Sequence, residues 1–206
     1  KNWGYTANVF GREMTRNLGQ GQGFGGRFYY APIVDGDSTL HFGVSAVDYD
    51  TNNDTQRWRI RPDADLATAR LIDTGNILNA DRNRTYGLEG LWSSGPFKVQ
   101  AEYMRTTTTR TSNSTAADFT GDSWYVSGVW NITGESWGYK GGTPTTPLPN
   151  DPAAGMWQVG LAVREGNVVE VGQVSPLART LGPPTAFVFY TGAYEDQFPF
   201  RKVICR

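Results

Sequence analysis

Apolar and polar residues alternate with a period of two over most of the chain. Trp3, Tyr5, Ala7 and Val9 alternate with Gly4, Thr6 and Asn8, and Leu40, Phe42, Val44 and Ala46 with His41, Gly43 and Ser45. Phe97, Val99, Ala101 and Tyr103 alternate with Lys98, Gln100 and Glu102. The same rhythm runs through Trp124–Ile132 and Trp157–Arg164. Successive side chains of a strand point to opposite faces, so each run has one greasy and one mostly polar face. No stretch of similar length carries a 3.6-residue stripe. The expectation is an all-β chain.

Composition narrows the class. Ten Phe, ten Tyr and seven Trp among 206 residues need somewhere to pack, which excludes a disordered chain. No apolar run approaches the roughly 20 residues of a membrane-spanning helix. A membrane β-barrel stays open, because its strands are only half apolar. A net charge of −1 gives no basic field for nucleic acid. One cysteine, Cys205, and one histidine, His41, leave little for disulfides, metal clusters or histidine-dependent catalysis. His41 lies on a polar strand face, where an ordinary lumen or surface role is expected.

Two motifs are set aside. Gly21-Gln-Gly-Phe-Gly-Gly26 matches GxGxxG but is followed by a strand-like Arg27-Phe-Tyr-Tyr rather than a helix. Asp48–Asp54 resembles a calcium loop but has Asn53 where glycine is needed and Arg59 where the bidentate Glu belongs. No cofactor, metal site or catalytic residue is expected.

The connections suggest an antiparallel up-and-down barrel. Gly11–Gly23, Asp48–Thr55 and Thr106–Asp122 are long and polar, whereas Val34–Ser38 and Ser93–Pro96 are short turns. Keeping that order requires a turn at Pro62–Asp65 and an extra strand at Leu66–Asp73, which brings the count to about nine strands up to Arg164. The Pro- and Gly-rich Gly134–Gly155 falls where a short turn belongs. Aromatics near many strand ends (Trp3, Tyr86, Trp92, Tyr103, Trp124) suit a membrane interface. They equally suit the inner core of a soluble carbohydrate-binding β-sandwich, with exposed Trp and Tyr stacking on sugars. Periodicity leaves both readings open.

The segment Arg57-Trp-Arg59-Ile-Arg61-Pro62 speaks to function. In a strand its arginines share one face, about 6.7 Å apart. Two such charges repel by roughly 0.6 kcal/mol in water, and by more where water is restricted. Anions or carboxylates facing the row relieve this, and rings of basic side chains are how pores select anions. Arg12, Arg27, Lys98 and Arg164 extend the basic character of the polar faces. The alternative is a solvated face salt-bridged to Glu89, Glu102, Asp63 or Asp65.

Several stretches resemble the phosphate-selective porins (porin O and P) of Gram-negative outer membranes. They are YTANVFGR at Tyr5–Arg12, GGRFYYAPI at Gly25–Ile33, LHFGVS at Leu40–Ser45 and RIRPDADLATARLIDTG at Arg59–Gly75. They continue with YGLEGLW at Tyr86–Trp92, GPFKVQAEY at Gly95–Tyr103, YVSGVWNITGE at Tyr125–Glu135 and GMWQVGLAVR at Gly155–Arg164. The resemblance implies an outer-membrane, 16-stranded barrel, homotrimeric at full length, lined by an arginine ladder that passes phosphate or polyphosphate. Arg57, Arg59 and Arg61 match ladder positions, with Arg27 and Lys98 as further pore-lining candidates. Residues 1–164 then form part of such a barrel, embedded in outer-membrane lipid. Residues 165–206 lose its rhythm and read as a divergent tail or a shifted reading frame.

Overall fold

The computed structural model describes residues 2–11, 21–51, 54–60 and 72–170. The strands among them are β1 (Trp3–Phe10), β2 (Gly23–Asp35), β3 (Ser38–Asp50), β4 (Thr55–Gln56), β5 (Arg59–Ile60), β6 (Ile72–Asp73) and β7 (Ile77–Leu78). They continue with β8 (Ala80–Ser94), β9 (Phe97–Arg110), β10 (Phe119–Asn131), β11 (Gly138–Lys140), β12 (Thr143–Thr145) and β13 (Gln158–Glu170). Seven form one sheet in the order β1-β2-β3-β8-β9-β10-β13. Each is antiparallel to the next, so the sheet is an up-and-down meander. The all-β, porin-type expectation holds, with the barrel left open. The last strand runs on through Glu170, beyond Arg164.

Among the described residues seven strands form the wall, beside an expected total of about nine strands. β3 pairs directly with β8, Asp50 standing opposite Arg82. The intervening chain forms two nested two-residue pairs, Thr55–Gln56 with Ile77–Leu78 and Arg59–Ile60 with Ile72–Asp73. The described parts of the two expected strands, residues 57–60 and 72–73, therefore do not join the wall, while the expected turn at Pro62–Asp65 and the stretch Leu66–Leu71 lie outside the described residues. Asp54 and Asn79, at φ 47° and 56°, bend the chain into the left-handed region on either side of this excursion. Few non-glycine residues adopt that conformation, and it ends a ladder.

The two faces of the sheet are inverted relative to a water-soluble protein. On one face Tyr5, Phe28, Val44, Leu88 and Tyr103 stand in register on adjacent strands, and all are exposed. On the other, Thr39, His41, Asn83, Ser93 and Thr108 are buried. A β-sandwich hides its aromatics between two sheets. Here no second layer covers them among the described residues, which removes the sandwich reading. An exposed apolar face of this extent needs a non-aqueous neighbour, and the outside of a membrane barrel supplies one.

The upper edge of the apolar belt steps across the sheet, reaching Phe24 opposite Asp48 on β2 and the Ala46–Tyr86 row on β3 and β8. Ala46, Tyr86, Arg105 and Asp122 are cross-strand neighbours. Below that row the outward residues are Val44, Leu88, Tyr103 and Trp124, and beyond it β3 and β8 carry Asp48, Asp50, Arg84 and Arg82. These charges neutralise one another: Arg84 Nε donates to Asp48 at 2.9 Å, Arg82 pairs with Asp48, and Arg82 Nη1 reaches Asp50 at 3.2 Å. At the other edge Phe97 and Trp130 stack, with centroids 5.8 Å apart. Along β2 the belt runs from Phe24 to Ile33, about 30 Å of strand, and at the usual barrel tilt that projects to roughly 23 Å of height. This matches the apolar band of an outer-membrane barrel.

Candidate functional site

Two connections fold over the polar face. At the upper rim, the described residues 54–60 and 72–79 pack onto it through Trp58, which sits against Ile77, Ala80 and Phe119. The Trp58 indole donates to buried Thr108 Oγ1 at 3.4 Å, and Gln56 Nε2 donates to the Tyr49 hydroxyl at 3.2 Å. At the opposite rim, residues 132–157 stand where a short turn was expected. They fold inward, with the β11–β12 hairpin lying over β2, β3 and β8. The Trp137 indole and backbone N–H donate to the carbonyls of Pro96 and Gly95, at 3.2 and 3.0 Å.

The predicted basic residues are distributed over these elements. Arg57 is exposed and forms a bidentate pair with Asp73, Nε to Oδ1 at 2.8 Å and Nη2 to Oδ2 at 2.6 Å. That guanidinium, with the Gly75 N–H at 3.0 Å, holds the Asp73 carboxyl down to about 2. Arg59 is exposed and stands opposite Asp73 in the β5–β6 pair. Arg61 lies outside the described residues. Arg57 and Arg59 thus share one excursion at the upper rim, whereas Arg27 and Lys98 are wall residues on the polar face. The described positions do not form one row.

Both wall cations touch the inward-folded segment. Lys98 Nζ sits 3.9 Å from the centre of the Trp137 ring, a cation–π contact. Arg27 donates from Nε to Glu89 Oε1 at 2.7 Å, and from Nη2 to the same oxygen at 2.6 Å and to the Gly142 carbonyl at 2.7 Å. Its guanidinium also lies 5.4 Å from the centre of the Tyr29 ring. Glu89 was named from sequence as a salt-bridge partner for the basic face, and it is one for Arg27. Gly142, at φ 86°, lies so close to Tyr29 that a Cβ there would come within 2.6 Å of the ring.

His41 is 3% exposed. Its Nδ1 is 2.6 Å from the Tyr139 hydroxyl, its Nε2 3.1 Å from Glu89 Oε1, and its ring stacks on Tyr29 at 5.5 Å. Sequence reasoning missed Tyr139, Trp137 and Gly142 as partners of the wall. The only signal was the length of 134–155 at the wrong rim.

The base of this segment is held by buried polar groups. Asn131, fully buried, donates to the Glu135 carbonyl at 2.6 Å and accepts from Gln158 Nε2 at 2.7 Å. Burial pushes the Glu135 carboxyl up. Hydrogen bonds from the Thr133 hydroxyl and the Asn150 backbone N–H outweigh it and leave the group below its ordinary range.

Comparison with known proteins agrees with this architecture. Residues 1–167 match the family described as phosphate-selective porin O and P. Porin O of Pseudomonas aeruginosa is 29% identical over 191 aligned residues, which cover 77% of this chain and 43% of that protein. An uncharacterized protein of Caulobacter vibrioides is 32% identical over 136 residues, covering 65% of this chain and 27% of its own length. The chain therefore spans less than half the length of either relative. With the family matched over most of its residues and the sheet built as a barrel wall, the chain belongs to the phosphate-selective porin O and P family.

Proposed function

We propose that this chain forms part of the wall of an outer-membrane channel that passes phosphate-type anions, and that it catalyses no reaction. The observation that carries the reading is the inversion of the sheet: apolar rows exposed on one face, polar and charged groups on the other. The family and Porin O of Pseudomonas aeruginosa support the phosphate preference and the outer-membrane location. The partners are then phosphate or polyphosphate on the polar face and outer-membrane lipid on the apolar face. The full-length assembly is a homotrimer.

Arg57, Arg59 and Arg61 serve as the anion-holding residues. Guanidinium stays ionised at any working pH, and its planar donors match phosphate oxygens. The Arg57–Asp73 pair does not disqualify Arg57. It is an exposed ion pair, and exposed pairs contribute little, so a phosphate dianion competes with the carboxylate for the same donors. A rung that trades one partner for another holds an anion loosely enough to release it. Arg27 and Lys98 add positive charge deeper on the wall.

Planar-bilayer recording of the full-length protein tests the reading. Replacing Arg57, Arg59 and Arg61 by Ala should shift the reversal potential toward that of an unselective pore and weaken block of chloride current by phosphate. Unchanged selectivity in the triple variant sinks the assignment of these residues. Comparing block by phosphate and polyphosphate separates the two substrates.

A further inference from the structure

We propose that Glu89 is the positioning residue that pins the β11–β12 hairpin to the channel wall and so sets the passage an anion must cross; the second half of this rests on the channel reading above. A single carboxylate oxygen gathers the contacts. Glu89 Oε1 accepts from Arg27 Nε and Nη2 at 2.7 and 2.6 Å and faces His41 Nε2 at 3.1 Å. Each partner then reaches the hairpin: Arg27 Nη2 donates to the Gly142 carbonyl, and His41 Nδ1 meets the Tyr139 hydroxyl. A carboxylate only accepts, so Nε2 carries the hydrogen, and in the neutral ring Nδ1 accepts from Tyr139. The wall makes room for this arrangement. Glu89 stands opposite Gly43, where any Cβ would overlap its carboxylate, so only glycine lets the side chain lie across β3 toward Arg27 and His41.

Glu102 supplies the contrast. It is directly opposite Glu89 on β9 and shares its face, but its carboxylate accepts from Gln100. Glu89 therefore also decides what Arg27 does. Held by the carboxylate, the guanidinium is a strut for the hairpin; released, it becomes a mobile cation facing the passage.

Trypsin digestion of the full-length protein in lipid vesicles permeable to the protease, followed by mass spectrometry at Lys140, tests the latch. Lys140 is an exposed residue of the hairpin. Glu89→Ala should speed cleavage there about tenfold, as expected when hydrogen bonds to a charged group are lost. Tyr139→Phe deletes one hydroxyl on the hairpin and leaves the wall intact, and it should speed cleavage about threefold. Glu102→Ala should match the parent. Unchanged cleavage in both Glu89→Ala and Tyr139→Phe overturns the latch.

Single-channel recording tests its consequence. Glu89→Ala should raise conductance and open-channel noise. Faster cleavage with unchanged conductance and noise overturns the role in setting the passage. A parent protein that passes no anions overturns the channel reading, and the cleavage rates still decide the latch.

Discussion

The two connections that cover the polar face are held by different physics. The described residues of the upper connection, 54–60 and 72–79, rest on a small apolar cluster, Trp58 with Ile77, Ala80 and Phe119, and on the exposed Arg57–Asp73 pair. Residues 132–157 are held by buried hydrogen bonds at Asn131 and Glu135, by the contact of Arg27 with the hairpin and by that of Lys98 with Trp137. An exposed ion pair is screened by salt and forms or breaks cheaply, whereas a buried polar network is costly to leave half made. The upper connection is thus built to exchange partners, and the lower one to keep its shape. The anion channel proposed above, which would recognise its ion and also hold a fixed cross-section, needs both behaviours.

That contrast can be broken in order of expected effect. Phe119→Ala empties the centre of the upper cluster and should cost about 3 kcal/mol, read from the denaturant midpoint in lipid vesicles. It should speed tryptic cleavage at Arg57 and Arg59 and leave Lys140 protected; acceleration at Lys140 would show the two connections to be one unit. Asn131→Ala removes the donor to the Glu135 carbonyl and leaves the Gln158 amide only the weak Met156 thioether, and should cost about 2 kcal/mol. Its cleavage pattern should be the reverse, with Lys140 released first.

Acid gives the smallest effect. The folded Asp73 carboxyl lies near 2, below its ordinary 3.8, so the pair's contribution is complete above about pH 4 and fades as pH falls through about 2. The Gly75 amide, which donates to Asp73, should show an NMR shift with a midpoint near pH 2, abolished by Asp73→Asn. A midpoint near the ordinary value would mean that the pair does not persist in solution.

Much of the wall was legible because its signal is local. Residues such as Phe42 and Val44 against His41 and Gly43 declare a two-faced strand within a few positions, whichever partner strand they meet. Which face meets water was not legible, since lipid-facing and core-facing aromatics look alike in sequence. The arginine run misled for a related reason. Arg57-Trp-Arg-Ile-Arg alternates as a strand should, yet the breaks on either side of its excursion are left-handed Asp54 and Asn79, residue types that adopt many other conformations. The latch was beyond any local pattern: Arg27 and the Gly142 carbonyl are 115 positions apart. Only the unexplained length of 134–155 hinted that something was stored there.

The upper edge of the apolar belt acts as a depth gauge on each strand. Tyr86 marks that edge on β8, and Glu89 stands three residues further along the same strand, about 10 Å along the chain and inside the belt. On the channel reading proposed above, the hairpin that Glu89 positions lies within the thickness of the hydrocarbon. In a water-filled pore the voltage falls mostly across the narrowest stretch, where each elementary charge carried through 100 mV involves about 2.3 kcal/mol. On the channel reading proposed above, two rims covered by segments held so differently predict inward and outward currents that differ at equal and opposite voltages.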